Sequence, residues 1–186
     1  MGIYATINMP ASMIVSSLFF AVSSRVSNQL GAGNAIGAKR TAMSGLMLSL
    51  MGGLIVATSL LTFRKSISVA FTKDAAVSTL VELLIWPQAL FQFCAAVSRS
   101  FEGIVQGSGR QSSGALVVII SYFVFGLPVS WILGSTMGLG VTGLVIGRVV
   151  GKVIHLILYG TLCYRTDWDE QAQHASKQYS NSKKND

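Results

Sequence analysis

The sequence predicts an all-α polytopic membrane protein with five transmembrane helices. Its 186 residues are 51% hydrophobic and only 11% charged, whereas an ordinary soluble domain carries about a quarter charged residues. Glycine is also frequent, with 19 residues, as in membrane helices that approach one another closely. Five apolar runs come near the roughly 20 residues that span a bilayer. They cover about 4–24, 42–63, 76–98, 114–134 and 141–164.

These runs divide the chain into a membrane domain, residues 1–164, and a polar tail, residues 165–186. The tail has no apolar periodicity that we can identify, so we expect little order in it. We place the protein in the plasma membrane or in a vacuolar or other organellar membrane.

Lysine and arginine residues are concentrated at the ends of the apolar runs, and their distribution predicts the orientation. The side that holds residues 25–40, residues 99–113 and the tail carries nine of them, and the opposite side carries three. Cytoplasmic connections are enriched in lysine and arginine. We therefore expect loops 25–40 and 99–113 and the C terminus to be cytoplasmic. No basic run alternates with aromatic residues, so the net charge of +7 does not indicate nucleic-acid binding.

Enzymatic activity is not expected from this sequence. It has no zinc-protease or phosphate-loop motif and no paired catalytic carboxylates. Cys94 and Cys163 lie in or beside apolar runs, without metal-ligand spacing. We predict neither a metal site nor a cofactor.

Polar residues inside the apolar runs are the candidates for a substrate or ion pathway. In the first run, Asn8 and nearby serines either line a cavity or bond to a neighbouring helix. In the third run, Gln88, Gln92, Ala95 and Arg99 share one helical face by their spacing.

Two acidic residues flank that face. Glu82 lies in the third run on a different face, and an acid at membrane depth is a functional candidate unless it reaches the solvated interface. Glu102 falls in the expected 99–113 loop, where we expect it to pair with Arg99 or Arg110. The pathway residues predicted are Asn8, Glu82, Gln88, Gln92 and Tyr122.

The fifth run carries two features on adjacent faces. Gly143, Gly147 and Gly151 repeat every four residues, the spacing that lets another helix pack closely. Arg148, Lys152, His155 and Tyr159 form a polar stripe. For this stripe we expect a structural role, either snorkelling to the interface or pairing with an acid outside this chain.

Short motifs between the runs are more specific than the runs themselves. Residues 25–34, RVSNQLGAGN, separate the first two runs and read as a helix end followed by a tight glycine turn. Phe71, Asp74 and Val77 follow the second run, and the third run includes Pro87. Next come GSG-x-Q-x-x-GA from Gly107 and Y-x-x-x-GLP from Tyr122. Asp167 and Trp168 open the tail.

In order and spacing, these motifs closely resemble the multidrug and toxic compound extrusion (MATE) antiporters, from about residue 5 to residue 172. The positions that carry the family motif are Arg25, Asn28, Gly31, Gly33, Gly107, Gly109, Gln111, Gly114 and Pro128.

The resemblance implies part of a secondary antiporter that exports organic cations or xenobiotics in exchange for H⁺ or Na⁺. Family members have twelve helices in two lobes, and this chain is similar to the last five. The resemblance also implies partners: the lipid bilayer, a small organic cation, and a missing N-terminal lobe or another membrane chain. It further implies an acidic residue at Ala95 or Ala96, an arginine at Gln106 and an asparagine at Val118, and here this chain departs from the pattern.

Two alternatives stay open at this point. The chain could be a stand-alone five-helix assembly partner that uses the Gly143, Gly147 and Gly151 face. It could also be a flippase of related fold that acts on a lipid-linked or anionic substrate, which would suit the cationic stripe.

Overall fold

Within residues 2–71 and 75–185, the part that the computed structural model describes, the chain forms helices joined by short turns. Side chains are described for residues 13, 16–70 and 77–177. The helices are α1 (Gly2–Gly31), α2 (Ala35–Thr62), α3 (Arg64–Phe71), α4 (Ala75–Gly107), α5 (Gln111–Thr136), α6 (Gly140–Tyr164) and α7 (Trp168–Asn185). The predicted all-α class is confirmed.

Four helices of the described part are long and apolar enough to cross a membrane: α2, α5, α6 and the Val77–Gly107 portion of α4. They match the second to fifth predicted spans. The first predicted span falls within α1, most of whose early side chains lie outside the described residues. The count of five spans is therefore approximate.

Helix α4 is the centre of the bundle, because α1, α2 and α6 all pack against it. Small residues allow this close packing. A Cβ atom on Gly103 would lie 2.8 Å from the carbonyl oxygen of Phe19, and one on Gly107 would lie 2.7 Å from that of Ser23. On the α2 side, the Ser100 hydroxyl donates to the Gly45 carbonyl at 3.1 Å. In a bilayer, close van der Waals contact and interhelical hydrogen bonds of this kind hold helices together.

The turn after α1 confirms the predicted helix end and shortens the expected 25–40 loop. Helix α1 continues to Gly31, and α2 begins at Ala35. Gly33 has φ +72°, and its N–H donates to Leu30 O while that of Asn34 donates to Gln29 O. This pair of bonds is the Schellman arrangement. The Asn34 side chain then caps α2 by accepting the Gly37 N–H at 2.8 Å.

The expected 99–113 loop is wrong, because α4 continues to Gly107 and α5 begins at Gln111. The turn repeats the first one: Gly109 has φ +73°, its N–H donates to Gln106 O, and the Arg110 N–H donates to Val105 O. Arg99 and Glu102 ended the apolar run without ending the helix. They therefore lie on α4, inside the bundle.

The C-terminal segment is also more ordered than predicted, since α7 runs from Trp168 to Asn185 and packs against α1 and α2. Trp168, Ala172 and Ala175 lie three and four residues apart and join the core cluster of α1 and α4. Asp167 caps the helix by accepting the N–H groups of Asp169 and Glu170. This short apolar stripe was too weak to stand out in a polar sequence.

Helix α5 widens into π-helical turns at Ile120–Gly126 and Ile132–Thr136, on either side of a short α segment that contains Pro128. Proline has no N–H to donate to the preceding turn, so the regular α pattern cannot continue through it. Local π adjustments of this kind are tolerated in membrane helices.

The glycine face of α6 packs against α5 within this chain. A Cβ on Gly143 would collide with the backbone of Leu133 and Gly134, and one on Gly147 would collide with Ser130. A Cβ on Gly151 would make a tighter than usual contact, 3.1 Å, with the Cα of Gly126. The helix against which these glycines pack is therefore a helix of this chain. This finding removes the glycine face as a docking surface for another membrane protein.

We predict that Gly147→Ala will strongly destabilise the bundle, whereas Gly52→Ala will not. The added methyl at position 147 meets the backbone of Ser130, so two helices must separate at a cost of about 1–3 kcal/mol. Nothing lies within 4 Å of a Cβ on Gly52, also a helical glycine of a membrane span. Thermal unfolding of both variants in detergent micelles measures the difference, and equal melting temperatures would contradict the packing described.

We also predict that Gly33→Ala will be destabilising by about 1–2 kcal/mol, the cost of a left-handed backbone for an L-residue. Gly31→Ala is the matched control, because neither position has a neighbour within 4 Å and only Gly33 has a positive φ. The free energy of unfolding in mild denaturant checks this. Loss of stability in the Gly31 variant alone would refute the assignment of strain to position 33.

Candidate functional site

A cavity of about 460 Å³ lies between α1, α4, α5 and α6, near the turn at residues 107–111. This volume falls in the range of about 300–1,000 Å³ that is typical of small-molecule sites. Its wall is polar on the α4 and α6 sides and carries aromatic rings from α1, α5 and α6. The lining residues are Phe19, Arg99, Glu102, Val105, Gln106, Gln111, Gly114, Ala115, Val118, Tyr122, Lys152, His155 and Tyr159.

The Glu102 carboxylate is the centre of the charged groups in this wall. Its Oε2 accepts from Arg99 Nη1 at 2.9 Å, one turn back along α4. Its Oε1 accepts from Lys152 Nζ of α6 at 3.3 Å and lies 3.6 Å from His155 Nε2. One carboxylate therefore links α4 to α6 and faces two cationic side chains.

Burial differs sharply among these groups. The side chains of Lys152 and His155 are 5% and 2% exposed, that of Glu102 is 14% exposed, and that of Arg99 is 39% exposed. A partly exposed pair such as Arg99–Glu102 contributes about 1 kcal/mol or less. Loss of one partner from a buried pair costs about 3–5 kcal/mol, because the remaining charge is left desolvated. The Lys152–Glu102 contact therefore dominates the energetics of the cluster.

His155 connects the ion pair to the aromatic part of the wall. Its Nδ1 lies 3.4 Å from Lys152 Nζ, and a neutral imidazole with its proton on Nε2 would accept from Lys152 while facing Glu102. Its ring lies 4.6 Å from the Tyr159 ring and 5.4 Å from the Tyr122 ring, centroid to centroid. These contacts hold the imidazole in one orientation.

Tyr159 in turn fixes the distance between α5 and α6. Its hydroxyl donates to the Gly114 carbonyl at 3.1 Å, and a Cβ on Gly114 would lie 2.8 Å from that hydroxyl oxygen. A side chain at this motif position would thus displace the tyrosine. Gly114 and Gln111, both positions of the sequence motif, lie on the cavity wall.

The structure corrects one expectation about these residues and confirms another. Lys152 and His155 of the polar stripe lie against Glu102 of this chain, and not against an acid on a helix outside it. The predicted Arg99–Glu102 pair is confirmed, whereas Arg110 donates instead to the Thr166 hydroxyl at 2.8 Å. Sequence reasoning did not select Glu102 as a site residue because it was assigned to a loop. Its spacing of three from Arg99 continues the Gln88, Gln92, Ala95 and Arg99 face, and this pattern could have revealed it.

The predicted pathway residues are spread over the bundle. Tyr122 lies on the cavity wall. Gln88 and Gln92 are buried on α4 but do not line this cavity. Glu82 is partly buried and lies 20 residues before Glu102, roughly 30 Å along the helix. The Asn8 side chain lies outside the described residues. A role for these residues in the pathway stays a prediction.

The positions at which the sequence comparison implied an acid are occupied by packing residues. Ala95 and Ala96 are both buried, and a Cβ on Gly53 of α2 would lie 2.9 Å from that of Ala96. Glu102 lies seven residues beyond Ala95, which is two turns along the same face. A carboxylate is thus present on this face, but nearer the end of the helix.

We predict that Glu102→Gln will lower the stability by about 3 kcal/mol, because it leaves the Lys152 ammonium buried without its carboxylate. The double variant Glu102→Gln/Lys152→Met should recover most of this loss, since a methionine of similar length carries no charge. Thermal unfolding in detergent measures both variants. The matched control Glu82→Gln should change little, and additive losses in the double variant would show that the two residues act independently.

The MatE family model matches residues 1–132. The chain is 33% identical over 165 residues to "Multidrug and toxin extrusion protein 2" of Oryctolagus cuniculus, covering 89% of this chain and 28% of that protein. It is 34% identical over 171 residues to "Protein DETOXIFICATION 20" of Arabidopsis thaliana, covering 92% of this chain and 35% of that protein.

Among solved structures, the eukaryotic MATE transporter AtDTX14 superposes with a TM-score of 0.87 at 28% identity, covering 91% of this chain and 38% of that one. An inward-facing multidrug resistance MATE family transporter gives a TM-score of 0.83 at 19% identity, with 90% and 39% covered, and this shows a shared fold. The chain thus spans about a third of the length of the relatives it matches. The family model covers well over half of the residues, and the chain belongs to the MatE family of membrane transporters.

Proposed function

We propose that this chain forms part of a secondary active exporter that moves small amphiphilic molecules, organic cations or other xenobiotics, in exchange for H⁺ or Na⁺. The observation that carries the proposal is the buried Glu102–Lys152 pair in the wall of a ligand-sized cavity. Ionisable residues inside membrane helices are costly and usually mark a substrate or ion pathway. Membership of a transporter family agrees with this interpretation.

Glu102 is the candidate for coupling, because it is the only carboxylate among the described residues that line the cavity. Binding of H⁺ or Na⁺ at this group would weaken its attraction for Lys152 and Arg99. The two cations would then be available to other ligands, or would separate and loosen the contact between α4 and α6. An exchanger needs a site whose affinity for the substrate changes when the coupling ion binds.

The cavity lies at the end of the bundle that carries the turns at Gly33 and Gly109 and the start of α5. Lysine and arginine are concentrated on that side of the chain. By the positive-inside rule, we propose that the cavity opens towards the cytoplasm, together with residues 32–34, residues 108–110 and α7.

A second lobe, from the same polypeptide or from another chain, would complete the pathway. Secondary transporters commonly bind substrate between two repeats and expose it to either side by rocking. Helix α5 offers the necessary uncovered surface, since Leu116, Phe123 and Trp131 are at least 60% exposed. Lipid or the second lobe would cover these side chains.

A second candidate is favoured by the charges of the cavity. Arg99 and Lys152 face a single carboxylate, an arrangement that attracts anionic rather than cationic substrates. A flippase or exporter for an anionic substrate therefore remains the alternative function, on the same fold.

We predict that the full-length native protein, reconstituted into liposomes, will accumulate an amphiphilic fluorescent dye when a pH or Na⁺ gradient is imposed. The two gradients, applied separately, identify the coupling ion. Glu102→Gln should abolish gradient-driven accumulation, because the group that binds the coupling ion has been removed. Glu82→Gln tests the other membrane acid.

Loss of coupling in the Glu82 variant with retention in the Glu102 variant would assign coupling to Glu82. No transport by the native protein under either gradient would refute the exporter. Blotting for the native protein in the same preparation, with an antibody to the polar tail, shows whether its mass exceeds the 19.8 kDa of this chain.

A further inference from the structure

We propose that the cavity binds the anionic group of its substrate, a carboxylate or a phosphate, between Arg99 and Lys152. The proposal rests on the transport function given above and names the substrate class of the same site. It follows from the charges in the wall, from their geometry and from the groups around them.

The charges do not balance. Among the described residues, two cationic side chains, Arg99 and Lys152, line the cavity together with one carboxylate, Glu102, and the other lining residues are uncharged except for the ionisable His155. With a neutral imidazole the wall carries one excess positive charge. In a membrane segment such a charge is expensive without a counter-ion, so an anionic ligand is the species that would stabilise the occupied cavity.

The geometry leaves donors available to such a ligand. Arg99 gives one nitrogen, Nη1, to Glu102, whereas a guanidinium has five N–H donors arranged to bind carboxylates and phosphates. Its side chain is 39% exposed, so part of it is open to the cavity or to solvent. Lys152 has three donors, and its contacts with Glu102 and His155, at 3.3 and 3.4 Å, are long.

The remaining wall suits the organic part of such a molecule. Phe19, Tyr122 and Tyr159 supply rings, and Val105 and Val118 supply aliphatic surface. Ligand sites are commonly apolar with a few polar groups that fix the orientation. The cavity therefore fits a soluble aromatic anion, with its ring against the tyrosines and its charge at the cluster.

Arg148 offers an internal control. It lies on α6, one turn before Lys152, and carries the same charge as Arg99. Its guanidinium packs over the Phe91 ring at 4.0 Å, and it does not line the cavity. Neutralisation of Arg148 changes the charge of the protein equally but removes no charged side chain from the cavity wall.

The experiment measures binding to the full-length native protein in nanodiscs of zwitterionic phosphatidylcholine. The ligands are pyrenebutyrate and its trimethylammonium analogue, which share the pyrene ring system and differ in the sign of the charge. We expect pyrenebutyrate to bind at least about tenfold more tightly, since a charge-assisted hydrogen bond discriminates on this scale. Arg99→Gln should weaken the binding of pyrenebutyrate about tenfold. If the guanidinium makes two hydrogen bonds to the ligand, loss of the second should weaken binding by a similar factor again. Arg148→Gln should leave its affinity unchanged.

Arg99 is the variant of choice because its partial exposure allows the fold to tolerate the change. Glu102→Gln, in the fraction that stays folded, should bind pyrenebutyrate more tightly than the native protein, because the competing carboxylate has been removed. Equal affinity for the two dyes, or equal effects of the Arg99 and Arg148 variants, would overturn the inference.

Two further measurements distinguish a lipid from a soluble ligand, and binding from transport. Pyrene-labelled phosphatidic acid in the nanodisc tests a lipid as the source of the anion, and Arg99-dependent binding of that lipid without binding of pyrenebutyrate would overturn the choice of a soluble substrate. Transport in liposomes is measured in parallel. Binding of the anion without transport would refute the exporter but not the site, whereas transport of the cationic dye alone would refute the site but not the exporter.

Discussion

The attraction between Glu102 and Lys152 is the interaction on which the arrangement of α4 and α6 depends. Both side chains are largely buried in helices long and apolar enough to span a bilayer, where neither could remain charged alone without a cost of several kcal/mol. Their contact sets the rotation of α6 relative to α4. That rotation places His155 and Tyr159 towards the cavity and the glycine face towards α5. The site and the packing of α5 are thus two consequences of one ion pair.

The glycines serve this arrangement in different ways. Gly103 and Gly107 let α1 cross α4 closely, Gly114 leaves room for the Tyr159 hydroxyl, and Gly147 allows backbone contact with Ser130. Hydrophobic burial gives little drive for association between helices that are already in lipid. Stability in this bundle must therefore come from short-range contacts that a single methyl group would prevent. Only Gly33 and Gly109, among the motif glycines, are needed for their backbone conformation.

Hydropathy predicted the membrane spans well, because the burial of about 20 apolar residues is a strong and local signal. Hydropathy predicted the helix end wrongly where a helix continues past its apolar part. Arg99 and Glu102 lower the local hydropathy, yet the helix extends to Gly107 because each charge finds a partner inside the protein. The same limitation concealed α7, whose apolar stripe consists of one tryptophan and two alanines. The glycines of residues 25–34, by contrast, predicted the first turn, since a helix end with positive φ nearly demands glycine.

The position of the acid on α4 bears on the function of this chain more directly than its family membership does. At Ala95 and Ala96 the face of α4 is packed, and at position 96 it lies against Gly53 of α2, so a carboxylate there would require a different contact with that helix. At position 102 the same face meets α6 instead, and the carboxylate has a lysine opposite it. Ala95 is the position two turns before Glu102 on one face of α4, whereas Ala96 lies on a different side of the helix, so the shift from position 95 places the acid next to α6. It also brings the acid into the wall of a cavity that carries a second, partly exposed cation. An acid in this position responds to whatever competes for those cations, so ion binding and anion binding would be linked through a shared partner and not through a distant conformational signal.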